Sequence, residues 1–345
     1  LRSNDIGMVI FNEQHDISIV RELKRTGILV GAYVDYYTEA SVPGFSVYDF
    51  LLCNTNRHYS VFSWHPSCFY IRWGTDTTLF AASADRPDPM AEVVFFHSAG
   101  FGGVGLRKGT DLVVRAFTGV TGRARLTIHS QVPMAHYGET ADLIRSDPRI
   151  SFIERTVPAP GLYHLGNVYV YPSRLEGIGL SVPEALSCGL PVITTDNPPM
   201  NEFVSDGVDG SLVPVAEYRP RHDNYYWPQS IVALDHLTQC MQEYVDNPAS
   251  VIERGRNARR LAVERLDWAA NAASLSEKLA RLDAPVPSRL PVPRLAAWVL
   301  TDAAIYSQHI VSTGISHALP TGLRRSISKT IRGLRARDKA AEAQK

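Results

Sequence analysis

Short apolar runs alternate with helical patterns through the middle of the chain, and this alternation constrains the fold more than any other feature. Strands are predicted at 93–96, 125–129, 150–152, 168–170 and 191–194, with helices at 110–117 and 182–188. Parallel neighbours need long crossover connections, which are usually helical. The pattern therefore predicts an α/β fold whose parallel sheet is covered by helices on both faces.

The first eighty residues repeat this pattern on a smaller scale. A strand at 6–11, a helix to about Lys24 and a strand at 28–34 form a βαβ start, and further strands are predicted at 50–53 and 68–72. The stretch 81–89 is polar and contains proline, so we place a domain boundary near Asp85. The predicted units are 1–85, 86–283 and a terminal segment, 284–345.

Helices are also predicted at 235–244 and, as one long amphipathic helix, at 248–282. A proline-rich linker follows, and then a basic tail with eight Lys or Arg against Asp338 and Glu342 between Leu323 and Lys345, a net charge of +6. At 320–339 an apolar stripe with basic flanks predicts a helix lying on an anionic membrane surface. A solvated tail and a helix docked on the protein itself are alternatives, while nucleic-acid binding is disfavoured because aromatic residues are missing from the segment.

Composition excludes several classes of protein. The 35 basic side chains balance the 35 acidic ones, so no overall charge directs the chain to nucleic acid. Four scattered cysteines fit neither a disulfide framework nor paired metal ligands, which favours a reducing cytoplasm. No apolar run reaches the length of a membrane span. Because the sequence begins with Leu and no signal peptide follows, we expect it to start inside a longer chain.

A glycine-containing turn, Glu176-Gly177-Ile178-Gly179-Leu180, follows the predicted strand at 168–170 and precedes a helix. Backbone N–H groups converge there at the carboxyl end of the sheet, as in phosphate-binding sites. Eight residues after Glu176, Glu184 could accept hydrogen bonds from the vicinal hydroxyls of a ribose. Two structural interpretations stay open: a capping box from Ser181 to Glu184, and a plain tight turn at the glycines.

From Glu176 to Glu184 the chain resembles the E-x7-E signature of retaining glycosyltransferases of family 4, which carry the glycosyl transferases group 1 domain. The segments at 107–117, 71–80 and 259–268 resemble the family's lysine-bearing helix, its crossover between domains and its closing helix. The resemblance implies the GT-B fold, in which two Rossmann-like domains face a cleft. The C-terminal domain would hold a nucleotide sugar and the N-terminal one a hydroxyl acceptor, although the family's opening strand, loop and helix have no counterpart in this sequence.

Carried over by this resemblance, Glu176 contacts the donor sugar and Glu184 the ribose, while Lys108 binds the phosphates. The backbone of Gly177, Ile178, Gly179 and Leu180 forms the diphosphate cradle. Many members carry a second basic residue before the lysine, and in this sequence either Arg107 or N–H groups of the glycine-rich loop at 100–106 would take its place. No Asp-x-Asp occurs in the sequence, so we expect transfer without a metal and without a cofactor.

Other candidate residues are weaker. Glu13 and His15 follow the first strand, where an acceptor contact and a surface loop are both reasonable interpretations. Asp35 could position the acceptor or simply form a turn. A G-x-G-x-x-G pattern from Gly100 could indicate a dinucleotide site, but no acid ends the following strand. His65 and His97 are interpreted as structural.

The resulting prediction is an enzyme that moves a hexose-type sugar from a nucleoside diphosphate sugar to a hydroxyl acceptor, with retention, in polysaccharide or glycolipid synthesis. It would be cytoplasmic, with a peripheral contact to the inner face of the membrane through the tail, and without nucleic-acid partners. A non-catalytic nucleotide-sugar-binding or partner-binding domain is the alternative. The glutamate spacing gives no support to an epimerase or phosphorylase.

Overall fold

The structure, a computed structural model, describes residues 6–12, 16–101 and 106–282. Four parallel strands form the first sheet, in the same order in space as along the chain. They are β1 (Met8–Asn12), β2 (Leu29–Val34), β3 (Phe50–Cys53) and β4 (Cys68–Tyr70), with α1 (Ile17–Arg25) between β1 and β2 and α2 (Asn56–Phe62) between β3 and β4. The predicted βαβ start is confirmed.

Six parallel strands form the second sheet, in the order β10-β9-β8-β5-β6-β7. They are β5 (Val93–Gly100), β6 (Ala124–Ser130), β7 (Ile150–Glu154), β8 (Val168–Tyr171), β9 (Val192–Thr195) and β10 (Gly210–Val213); α3 (Thr110–Thr118), α4 (Glu139–Ser146) and α5 (Ser181–Ser187) connect them. This is the strand order of a doubly wound Rossmann sheet, whose ligands bind where the order reverses. Here the reversal lies between β5 and β8.

Helices bury both faces of the second sheet, as its apolar strands predict. On one face Phe95 and Leu126 pack in a cluster with Phe117 of α3. On the other face Tyr169 packs with Val182 of α5. The first sheet has its own apolar cluster, and the described residues together belong to one compact unit. The boundary near Asp85 lies between β4 and β5 and stays a prediction.

The prediction of one helix over 248–282 is wrong. The chain over this range instead forms α7 (Pro248–Arg265), α8 (Trp268–Ala272) and α9 (Leu275–Ala280), whereas the helix predicted at 235–244 is present as α6 (Leu234–Asp246). The break arises because Leu266 O accepts from Thr75 N at 2.8 Å and Trp268 N donates to Thr75 O at 3.0 Å. A continuing helix would need those backbone groups for its own ladder.

An antiparallel hairpin, β11 (Val215–Arg219) and β12 (Gln229–Val232), precedes α6. In the part of the chain that the structure describes, no helix has the length and apolar character needed to cross a bilayer. The tail at 320–339, with the rest of 284–345, lies outside the described residues.

The start of α1 provides a stability prediction. Asp16 caps this helix by accepting from Ser18 N at 2.8 Å, and hydrogen bonds from Ser18 lower the pKa of its carboxyl. We expect Asp16→Ala to lower the free energy of unfolding by about 1 kcal/mol in urea titrations, and Asp16→Asn, which keeps an acceptor, to lower it by only a few tenths. Because the folded pKa is depressed, the difference between wild type and Asp16→Ala should be full near neutral pH and shrink as the pH falls through that pKa. Equal losses for both variants would contradict the capping role.

Candidate functional site

A tight turn after β5 places Lys108 at the carboxyl end of the sheet. Gly109 begins α3 with a φ of +74°, and a Cβ on this residue would lie 2.3 Å from Pro172 O. Only glycine fits both the left-handed conformation and this close approach. The turn after β5 is thus brought against the turn after β8, at the point where the strand order reverses.

Glu176, in the turn after β8, is the most densely contacted carboxylate of this region. Its Oε1 accepts from Lys108 Nζ at 2.8 Å, from Ser173 Oγ at 2.7 Å and from Tyr171 OH at 2.9 Å. Its Oε2 accepts from Arg107 at 3.2 Å. Glu176 is only 6% exposed, so these donors replace water almost completely. Arg107, Lys108 and Glu176, which the resemblance assigns to one donor site, thus lie together, and their roles toward a donor stay predictions.

Opposite effects act on the charges of this pair. Burial alone would raise the pKa of Glu176, but Lys108 and Arg107 hold the pKa of this carboxyl below its usual value. Burial lowers the pKa of Lys108, and the carboxylate of Glu176 opposes that shift. The charged forms of Glu176 and Lys108 therefore stabilise each other where little water reaches them.

A cleft of about 290 Å³ opens beside this ion pair. The first sheet contributes Tyr33 and Asp35 to its lining, and the second contributes Lys108, Tyr171, Glu176, Gly177, Ile178, Gly179, Leu180 and Ser181. Gly179 has a φ of +80°, and a Cβ there would meet Met200 Cε at 2.1 Å. The glycines of the turn thus let its backbone line the cleft.

Glu184 lies on α5, where its Oε2 accepts from Tyr163 OH at 2.6 Å. Burial raises the pKa of Glu184, and both Tyr163 and Lys108 oppose this. The capping-box alternative is not supported, because α5 begins without a side-chain cap and the Glu184 carboxylate bonds to Tyr163 instead. Among the described residues that line the cleft, neither Glu184 nor Arg107 is found, so the predicted ribose contact stays a prediction.

The predicted acceptor-side residues have different outcomes. Asp35 lies at the cleft, with its Oδ1 2.7 Å from the position that a Cβ on Gly177 would take. Glu13 and His15 lie outside the described residues. His97 is fully buried between Val170 O and the Thr110 hydroxyl, in agreement with a structural role.

One residue near Glu176 was missed by the sequence analysis. Arg57, in the first turn of α2, donates to Glu176 O and to Pro198 O, the latter at 2.8 Å. These partners lie more than a hundred residues away along the chain, and no local pattern marks the pairing. Within the described ranges, no three His, Cys, Asp or Glu side chains are grouped as metal ligands would be.

Comparisons with known proteins agree with this geometry. Residues 96–220 match the family model described as glycosyl transferases group 1. A GDP-mannose-dependent alpha-(1-6)-phosphatidylinositol monomannoside mannosyltransferase of Mycolicibacterium smegmatis is 25% identical over 246 residues, 65% of this chain and 59% of the relative. A lipopolysaccharide core biosynthesis mannosyltransferase of Rhizobium leguminosarum bv. viciae is 28% identical over 203 residues, 55% of this chain and 53% of the relative. The chain thus spans little more than half the length of these curated relatives.

Solved structures show the fold. A sucrose-phosphate synthase from Thermosynechococcus elongatus superposes with a TM-score of 0.64 at 19% identity, covering 80% of this chain and 73% of that one. Anabaena HepE, solved in complex with UDP-glucose, gives a TM-score of 0.63 at 15% identity, covering 80% and 79%. The fold is therefore the expected GT-B arrangement of parallel α/β sheets.

The ion pair at the site provides a second prediction. Glu176→Gln leaves Lys108 buried beside a neutral amide, and we expect it to lower the free energy of unfolding by about 3 kcal/mol at neutral pH. Because the folded pKa of Glu176 is depressed, the gap to wild type should narrow as the pH falls through that pKa. The matched control is Glu92→Gln, which removes an exposed pair with Arg125 and should change stability by less than about 1 kcal/mol. Denaturant titrations from pH 7 down to pH 3 test this, and equal effects of the two variants would contradict it.

Proposed function

We propose that this protein is a retaining glycosyltransferase of family 4 that moves a hexose-type sugar from a nucleoside diphosphate sugar to a hydroxyl acceptor. One observation carries the proposal. The Lys108–Glu176 ion pair and the turn at 177–180 line one cleft where the strand order reverses, inside the segment that matches glycosyl transferases group 1. The two curated relatives are mannosyltransferases that act on phosphatidylinositol monomannoside and in lipopolysaccharide core biosynthesis, which supports glycolipid or polysaccharide synthesis as the setting.

The proposed chemistry follows from charge. Negative charge grows on the diphosphate as its bond to the sugar breaks, and a fixed cation stabilises it most where water is excluded. Lys108 supplies that cation beside the backbone of 177–180, so the proposal requires neither a metal nor a cofactor. Glu176 would contact hydroxyls of the sugar and Glu184 those of the ribose. With front-face attack, the departing diphosphate takes the proton of the acceptor hydroxyl, and the sugar keeps its anomeric configuration.

A non-catalytic nucleotide-sugar-binding domain is the second candidate. The observation in its favour is that the matched family segment, 96–220, contains the Lys108–Glu176 pair but does not include the first sheet. Such a domain would bind a nucleotide sugar without turning it over. Binding and turnover must therefore be measured separately.

A thermal-shift panel of UDP, GDP, ADP and their hexose conjugates is the first test. A ligand at 100 times its dissociation constant stabilises a folded protein by about 2.7 kcal/mol, so one nucleotide should raise the melting temperature clearly.

Glu184→Gln should weaken binding of the free nucleotide by roughly 1–3 kcal/mol, because a charged hydrogen bond to ribose is lost. Glu176→Gln should retain nucleotide binding and depress sugar transfer.

Circular dichroism of both variants checks that the helices are intact. Nucleotide binding without transfer to any glycan or lipid acceptor would favour the binding domain. A flat thermal panel would contradict the assignment of the cleft, and so would wild-type nucleotide binding and sugar transfer in both variants.

We also propose that the tail at 320–339 contacts anionic membranes, since each of its basic residues can add about 1 kcal/mol at such a surface. The full chain should sediment with vesicles containing anionic lipid and not with neutral vesicles. A chain ending at Leu319 should sediment with neither. Equal sedimentation of both chains with both kinds of vesicle would exclude the proposal.

A further inference from the structure

Arg57 is a buried arginine that lies between the two sheets. It sits in the first turn of α2, which follows β3 of the first sheet, and it is 3% exposed. Its guanidinium donates to Glu176 O and Pro198 O, both in loops that follow strands of the second sheet. A cation this deep must be held by specific partners, and burial does lower the pKa of Arg57.

The indole of Trp227 covers this guanidinium. The Cζ of Arg57 lies 5.3 Å from the Trp227 ring centre, within the range of a cation–π contact. Trp227 is fixed in turn, because its Nε1 donates to Tyr37 OH at 2.6 Å. The Tyr37 hydroxyl then bonds to His58 Nδ1 at 2.9 Å, next to Arg57 on α2.

The carboxylate of Glu202, which follows β9 of the second sheet, also holds this first turn of α2. Glu202 accepts from the backbone N–H groups of Asn56 and Arg57 at 2.6 Å and 2.9 Å. The backbone of α2 and the side chain of Arg57 are therefore fixed independently. A planar guanidinium that is held in this way can fix the position of each carbonyl to which it donates.

We propose that Arg57 is a positioning residue for the Glu176 turn. The carboxylate of Glu176 is held by Lys108 and Arg107, which follow β5 of the second sheet, whereas its carbonyl is held by Arg57, which follows β3 of the first sheet. The next residue, Gly177, lies against Asp35 of the first sheet. Arg57 thus keeps the turn in register with the first sheet, so that both walls of the cleft face a bound donor and acceptor correctly. This inference rests on the proposed function.

The test compares Arg57→Lys with a matched control, Arg86→Lys. Arg86 also donates to two backbone carbonyls, those of Cys188 and Gly189, but at the other end of α5. Lysine keeps the positive charge in both variants but lacks the planar guanidinium that donates to two carbonyls at once. For Arg57→Lys we expect kcat to fall about 10- to 100-fold, as for a misplaced reacting group, with the nucleotide dissociation constant within about twofold of wild type. For Arg86→Lys we expect kcat within about twofold, whatever its loss of thermal stability.

Hydrogen exchange followed by mass spectrometry gives a readout that needs no activity. Peptides covering 174–180 should exchange about 10-fold faster in Arg57→Lys than in wild type or Arg86→Lys. Unchanged exchange in this segment, or a wild-type kcat, would overturn the positioning role. A loss of kcat that merely tracks the melting temperature in both variants would do the same. If wild type transfers no sugar at all, the proposed function fails, and the exchange rates alone decide on Arg57.

Discussion

A carboxylate enclosed by its own donors determines this site. Glu176 is almost completely buried, and it keeps its charge because Lys108 and Arg107 lie against its two oxygens. Of these two cations, Lys108 is the one that lines the cleft. The same arrangement favours the charged form of Lys108, because burial lowers the pKa of this lysine and the carboxylate of Glu176 opposes that shift. Removing either charge therefore leaves its partner in a poorly solvated place without the opposite charge that stabilises it.

The location of this pair follows from topology. β5 and β8 are neighbours in the sheet, and the connections that follow them run in opposite directions across it. A gap opens between the two loops, and Lys108 enters it from one side and Glu176 from the other. The close approach of Gly109 to Pro172 keeps this gap narrow enough for a direct ion pair. The strand order of this sheet therefore determines where the Lys108–Glu176 pair lies, between the loops that follow β5 and β8.

Features set by local pattern were predictable from the sequence. The strands at 50–53 and the turn at 176–180 were recognised because apolar runs, glycines and spacing are written in consecutive residues. The helix over 248–282 was wrong because its interruption comes from Thr75, a residue far away in sequence. Arg57 was missed for the same reason, since its acceptors lie in loops of the other half. Glu184 was recognised by its spacing, but its bond to Tyr163 depends on the folded packing and on no spacing at all.

The hairpin beside β10 shows how the two halves are held together. Its loop crosses to the segment after β2, where Tyr225 stacks on Tyr36 with ring centres 5.2 Å apart and donates to Asp35 O at 3.2 Å. Asp35 lines the cleft, so the loop of the hairpin positions a residue that follows β2 of the first sheet. Arg57 makes the converse connection, from the first half to the carbonyl of Glu176. Opening the cleft would break both connections and expose a buried guanidinium together with several aromatic rings. Tyr225 therefore holds the loop that carries Asp35, and Arg57 holds the turn that carries Glu176. The relative position of these two carboxylates is set by residues that do not line the cleft.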